Sequence, residues 1–266
     1  MLGAIAGDVI GSVYEFDSVK TTDFPLFTGE STFTDDTVLT VATAAALLTD
    51  HDFATAYHTY GRRYSGRGYG GAFRSWLAAP EPGQPYNSWG NGSAMRVSPV
   101  GIAAQSAEQA LEWAEASAAV THDHEEGVRG AQAVVLAVYL ARTGESKLEI
   151  QRQVTDGLGY DLARSLDDIR RTYTFDVSCH GSVPEAIIAF LEADGVEDAI
   201  RCAVSLGGDA DTQAAIAGGI AEAFWGQVPR ELGAAVIERL PREFLEVIIA
   251  FNERFPMRPG GGKTGG

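Results

Sequence analysis

The sequence predicts an all-α fold in one compact multi-helix domain, and three observations carry that expectation. Apolar residues recur at helical spacing in one segment after another, as in 107–119 and 125–143. Sustained two-residue alternation bounded by turn residues, which would mark strands, is absent. No linker splits the chain, so a domain over residues 1–258 is expected, followed by a Gly-rich tail at 259–266.

In chain order, Leu2 to Tyr14 is apolar at helical spacing, with Gly3, Gly7 and Gly11 on one stripe. The stripe predicts a helix packed tightly in a core, its glycines letting another backbone come close. Glu15 to Phe33 has no period and holds Pro25 and Gly29, so it reads as a long loop, functional or disordered. Helices are expected at about 36–48 and 53–64. The stretch 65–92 is rich in Gly, Pro, Asn and aromatics and reads as irregular, apart from a short helix near 72–78. Further helices are expected at 93–104, 107–119, 125–143, 147–158 and 162–171. After a loop at 172–181 the pattern resumes at 183–192, 196–205, 212–225, 229–237 and 242–254. The tail is expected to be disordered. Its Gly262-Lys263-Thr264 is not a phosphate loop, because Met257 stands where the motif needs glycine and no helix follows.

Charge and composition narrow the function classes. Acids outnumber bases 36 to 20, a formal net charge of -16. That disfavours nucleic acid and anionic membrane as partners and leaves room for a carboxylate-built site. Two cysteines, Cys179 and Cys202, make no disulfide framework, so a reducing compartment is expected. The apolar start lacks a basic flank and is interrupted by Asp8. No apolar run reaches the roughly 18 residues of a membrane span. A cytoplasmic monomer is the expectation.

Two stretches concentrate chemistry. Gly207-Gly208-Asp209-Ala210-Asp211-Thr212 precedes an apolar helical pattern, and Thr34-Asp35-Asp36-Thr37 does the same far upstream. Either alone would pass as a helix cap. Together they place four carboxylates at two helix starts, which repel unless a cation neutralises them. Hard divalent ions prefer such oxygen donors. A calcium loop counted from Asp209 fails, since its twelfth position is Ile220 rather than Glu. Zinc is disfavoured because no Cys/His set accompanies the acids. Magnesium or manganese is the expected cofactor, as two ions if the two half-sites meet.

Other candidates have bland alternatives. Ser88-Trp89-Gly90-Asn91-Gly92-Ser93-Ala94-Met95-Arg96 could present amides to an anion, or be a turn before a capped helix. Trp89 and Tyr86 could stack on an aromatic ligand or sit in the core. His122, in a loop with Asp123 and His124, is a hydrogen-bonding or substrate-contact candidate or a satisfied loop residue. His51 and His58 read as surface. Glu15, at the exit of the first helix, stands out because its loop feeds into Thr34-Asp35-Asp36.

Six pieces fall in one family's order: Gly3-Ala-Ile-Ala-Gly-Asp8 running to Glu15, Thr34-Asp-Asp-Thr37, Gly90-Asn-Gly-Ser-Ala-Met-Arg96, Thr121-His122, Gly181-Ser-Val-Pro-Glu185 and Ser205-Leu-Gly-Gly-Asp-Ala-Asp-Thr212. Each is weak alone; in order, across nearly the whole chain, they are specific. The chain resembles the ADP-ribosylglycohydrolases. The resemblance implies an all-α domain with a binuclear magnesium or manganese cleft. By position, Thr34, Asp35, Asp36, Asp209, Asp211 and Thr212 match the metal ligands, with Asp211 the bridge. Glu15 matches a catalytic glutamate, and Asp35 or Asp36 is the alternative base. Ser88, Trp89, Gly90, Asn91, Gly92, Ser93, Met95 and His122 lie where the family contacts ADP-ribose. His124-Glu125 and His180 depart from the His-Pro and Gln of many bacterial members.

The implied activity is hydrolysis at ribose C1, releasing ADP-ribose from a protein side chain, with arginine the expected acceptor. The rivals are another linkage (serine, O-acetyl-ADP-ribose or a nucleic-acid adduct) and a non-catalytic ADP-ribose-binding or structural member of the fold.

Overall fold

The glycine stripe of the first helix decides which helix it meets. In the computed structural model, which describes residues 1–257, helix α1 (Leu2–Gly11) lies along α12 (Ala210–Trp225). A Cβ on Gly3, Gly7 or Gly11 would overlap the α12 backbone at Gly218, Ala214 and Ala210 respectively. Glycine therefore sets the approach distance at all three turns of contact. From Ala210 to Ala223 every residue of α12 is buried, so this helix is the axis of the core.

Fourteen α-helices are found among the described residues. Before the central part of the chain these are α1, α2 (Asp35–Leu47), α3 (Phe53–Arg63) and α4 (Gly71–Ala78). Then come α5 (Ser98–Ala103), α6 (Ala107–Ala119), α7 (Glu125–Thr143), α8 (Lys147–Leu158) and α9 (Leu166–Thr172). The rest are α10 (Cys179–Glu192), α11 (Val196–Val204), α12, α13 (Arg230–Ile237) and α14 (Arg242–Arg254). Among the described residues the only β pairing is an isolated antiparallel bridge between Gly90 and Ser178. None of their helices is long and apolar enough to cross a membrane. The expected tail at 259–266, with its Gly-Lys-Thr, lies outside the described residues.

Helices α6, α7 and α8 begin and end where the pattern predicts, because local caps define them. Ser106 and Ser146 accept from the amides of Gln109 and Glu149, and Gly144 and Gly159 close the helices in left-handed conformation. Four other segments differ. The expected helix over 93–104 is a 3₁₀ turn at Asn91–Ser93 followed by α5, since Pro99 suits a helix start and lacks the N–H an interior position needs. The helix expected over 162–171 starts at Leu166, where Ser165 accepts from the Asp168 amide. Helix α10 starts at Cys179, not Val183: Ser178 caps it at the Gly181 amide, and Pro184 is carried inside. The first helix also stops at Gly11, short of Tyr14.

The long loop after α1 is ordered by specific anchors. Tyr14 donates to the Pro25 carbonyl at 2.6 Å, and Arg201 donates to the carbonyls of Thr22 and Phe24 at 3.0 and 2.9 Å. The histidines expected at the surface are not there. His58 is buried edge-on to Trp76 with Nε2 2.9 Å from the Ala79 carbonyl, and His51 is half-buried against Trp113. His58 lies midway along α3 and packs against α4, and His51 lies in the connection between α2 and α3, packings that periodicity does not report.

Candidate metal centre

Packing α1 between α2 and α12 brings three distant segments to one point. Thr34 is the N-cap of α2, accepting from the Asp36 amide at 3.3 Å. The same hydroxyl donates to Asp8 Oδ1 at 2.7 Å. Asp8 Oδ2 accepts from the amides of Thr34 and Thr37, at 2.9 and 3.0 Å, and from the Thr37 hydroxyl. Asp8, which sequence reasoning gave no role of its own, thus pins the start of α2 to α1. Its signal was present: a lone acid on an otherwise apolar, glycine-striped helix.

The capping alternative accounts for Thr34 but not for the aspartates of α12. Asp209 holds the N-cap position of α12 without making a side-chain cap bond. Its Oδ2 accepts instead from Asn91 Nδ2 at 2.8 Å. Asp211 accepts from the neighbouring Thr212 amide at 2.9 Å and shares a side-chain hydrogen bond with Asp209. Asp36 Oδ1 is buried with no hydrogen-bond partner.

Carboxylate oxygens of Asp8, Asp36 and Asp211 come within 4.8 Å of one another, and so do those of Glu15, Asp209 and Asp211. Asp211 belongs to both groups. Asp35, in neither, faces the same cleft. Burial first, and then mutual repulsion, raises these acids. Asp35, Asp36 and Asp211 sit well above the usual carboxylate range. Burial pushes Asp209 up to about 6. Burial, then the charges of Asp211 and Asp8, pushes Glu15 up to about 7. Without a cation the cluster holds protons. An all-oxygen donor set with a bare buried carboxylate oxygen fits hard divalent cations.

Glu15, Asp35, Asp36, Asp209 and Asp211 floor a cleft of about 440 Å³, lined also by Thr34 and Thr212, with Asp8 fully buried behind them. Ser88, Trp89, Gly90, Asn91, Gly92, Met95 and His122 line the other wall. Trp89 is about half exposed (49%) at the mouth. Ser93 is not brought to the cleft: it is fully buried, and its hydroxyl donates to the Gly127 carbonyl at 2.7 Å. Asn91 reaches the cleft, but its amide is committed to Asp209 and to Ser182, at 3.2 Å for the latter. Phe175 and Val177 also line the cleft, brought there by the loop before α10, and no sequence signal singled them out for it.

The comparisons agree with this architecture. The sequence profile of the ADP-ribosylglycohydrolase family matches residues 1–258. Human ADP-ribosylhydrolase ARH3 is 29% identical over 310 aligned residues, covering 86% of this chain and 85% of the relative. ADP-ribosylarginine hydrolase Tri1 of Pseudomonas putida (strain GB-1) is 27% identical over 264, covering 85% of this chain and 69% of that one. A solved structure described as an ADP-ribosylglycohydrolase-related protein complex superposes with a TM-score of 0.71 at 23% identity, covering 95% of this chain and 96% of the other, and shares the fold. With an all-α fold built on α1 and α12 and a family profile matched over residues 1–258, the chain belongs to the ADP-ribosylglycohydrolase family.

Proposed function

We propose that the protein is a metal-dependent hydrolase that releases ADP-ribose from a modified protein side chain, with arginine the acceptor. The observation that carries this is the pair of three-carboxylate groups sharing Asp211 on the floor of a ligand-sized cleft. Thr34, Asp35, Asp36, Asp209, Asp211 and Thr212 would hold two cations, Mg²⁺ or Mn²⁺, with Asp211 between them and Asp8 holding Thr34 in place. When bound, such ions supply Lewis-acid polarisation of sugar oxygens and a more acidic water.

The chain's own residues divide the remaining work. Glycosidic cleavage builds positive charge on the ribose ring, and the acidic floor favours that charge. Glu15, half-buried beside Asp209 and Asp211, is the proton-transfer group, in the roughly 10²–10⁴-fold range of general acid–base catalysis. Asp35 and Asp36 are more deeply placed and serve as ligands in this reading. The opposite wall, Ser88 to Asn91 with Gly92, Met95 and His122, holds the diphosphate and adenosine. The arginine acceptor is supported by charge, a guanidinium leaving group beside clustered carboxylates, and by the Tri1 relative, which is an ADP-ribosylarginine hydrolase.

The test is a linkage panel: protein ADP-ribosylated on arginine or on serine, and O-acetyl-ADP-ribose, each with and without EDTA. Chromatography should show ADP-ribose released fastest from arginine, and EDTA should stop it. Release that ignores EDTA sinks the metal reading, preference for a serine or acetyl ester linkage replaces the acceptor, and tight ADP-ribose binding without turnover on any linkage makes the protein a binding module.

A further inference from the structure

Arg96 is fully buried, and no carboxylate is among its hydrogen-bond partners. Its guanidinium carbon lies 4.1 Å from the centre of the Tyr57 ring. Its Nη2 donates to the Ser117 carbonyl at 2.9 Å and to Thr121 Oγ1 at 3.0 Å. Thr121, also fully buried, sits 2.7 Å from His122 Nδ1.

The donor count fixes the direction of this chain. A guanidinium N–H can only donate, so Thr121 accepts from Arg96. The hydroxyl has one proton left to give, and His122 Nδ1 is the acceptor within reach. Were Nδ1 protonated, the Thr121 hydroxyl would have to turn its proton away from the 2.7 Å contact to the Tyr86 phenol, the other acceptor beside it. Nδ1 therefore accepts, and the proton of the neutral ring sits on Nε2. That nitrogen lies on the cleft wall against the Gly90–Gly92 turn: a Cβ on Gly92 would come within 3.1 Å of it. Burial, and then the Arg96 charge, holds His122 well below its ordinary value, so the ring stays uncharged.

We propose that Arg96 and Thr121 are positioning residues that lock His122 in its Nε2-protonated form, so that the cleft wall offers a fixed N–H donor to an anionic oxygen of the ligand. The identity of that oxygen, a phosphate of ADP-ribose, rests on the function proposed above; the lock itself does not.

The experiment is ¹⁵N-edited NMR of histidine-labelled protein at pH 7, with His122 assigned by its loss in His122→Gln. Wild type should show His122 with a bare Nδ1 and a protonated Nε2. Thr121→Ser should preserve that state. Thr121→Val should let the Nδ1-protonated form appear and weaken ADP-ribose binding by calorimetry about tenfold, which is about 1.4 kcal/mol. A wild-type His122 protonated on Nδ1, with Thr121 turned to the Tyr86 phenol, or a charged imidazolium, overturns the lock. The wild-type spectrum decides this even if Thr121→Val fails to fold. An Nε2-protonated ring in a protein with no affinity for ADP-ribose keeps the lock and sinks the ligand assignment instead.

Discussion

Asp211→Asn should change stability with opposite sign in the absence and presence of a divalent cation. The substitution keeps the shape, and an asparagine Oδ1 can still accept from the Thr212 amide now 2.9 Å from the carboxylate. In the metal-free protein it removes an ionisable carboxyl whose oxygens lie within 4.8 Å of those of Asp8 and Asp36 in one group and of Glu15 and Asp209 in the other. Unit charges at that distance repel by about 3 kcal/mol per pair at an effective dielectric of about 20. The carboxyls escape part of this by taking up protons, at about 1.4 kcal/mol per unit of raised pKa. Relief on the order of 1–3 kcal/mol remains, and the metal-free variant should melt at or above wild type. With cation the sign reverses. An ion at a hundredfold excess over its Kd stabilises a site by about 2.7 kcal/mol. In a chain of this size each kcal/mol moves Tm by about 2–4 °C. Removing the carboxylate common to both groups should abolish most of that rise. The assay is thermal melting by circular dichroism in EDTA and in manganese. A metal-free variant melting many degrees below wild type, or one that manganese still stabilises fully, would refute the reasoning.

Two further outcomes follow from the same geometry. In the metal-free protein Glu15 and Asp209 titrate at about 7 and about 6, above ordinary values of 4.5 and 3.8. The folded state therefore binds more protons than the unfolded chain in that window, and stability falls as pH rises from about 5 to 7.5. Melting in EDTA should show this fall, and saturating cation should flatten it; a metal-free Tm that climbs over that range contradicts the cluster. Gly7→Ala places a Cβ inside the Ala214 carbonyl, whereas a Cβ on Gly29 meets nothing. The first should cost about 1–3 kcal/mol, a loss of about 2–12 °C in Tm, while Gly29→Ala should stay within about 0.5 kcal/mol. Equal melting of the two variants would mean α1 and α12 do not pack as described.

What can be read from the sequence depends on how local the cause is. The ends of α6, α7 and α8 are legible because a cap acts within three residues and a glycine ends a helix on its own backbone. Pro99 obeys the same local rules, at the start of α5, but around Pro184 they mislead. Proline suits the first turn, yet α10 carries Pro184 inside because the Ser178 cap and the Gly90–Ser178 bridge set its start upstream. In the 91–93 turn, which side chain faces the cleft is a matter of tertiary path. Asn91 turns toward Asp209 and Ser93 toward Gly127, and nothing in their spacing separates the two.

By itself the sequence determined that the chain is helical, that two acidic stretches stand at helix starts, and that one face of the first helix must meet another backbone closely. Those follow from a 3.6-residue period, from capping chemistry and from three glycines in register. The tertiary structure alone decided that α12 is the partner, that Asp8 braces Thr34 and Thr37, and that Asp211 stands between two groups of carboxylates. The physical reason is separation along the chain. Residues 8, 36 and 211 share no local rule, and only the close contact of α1 with α12, with α2 held against α1, puts their oxygens within reach of one ion.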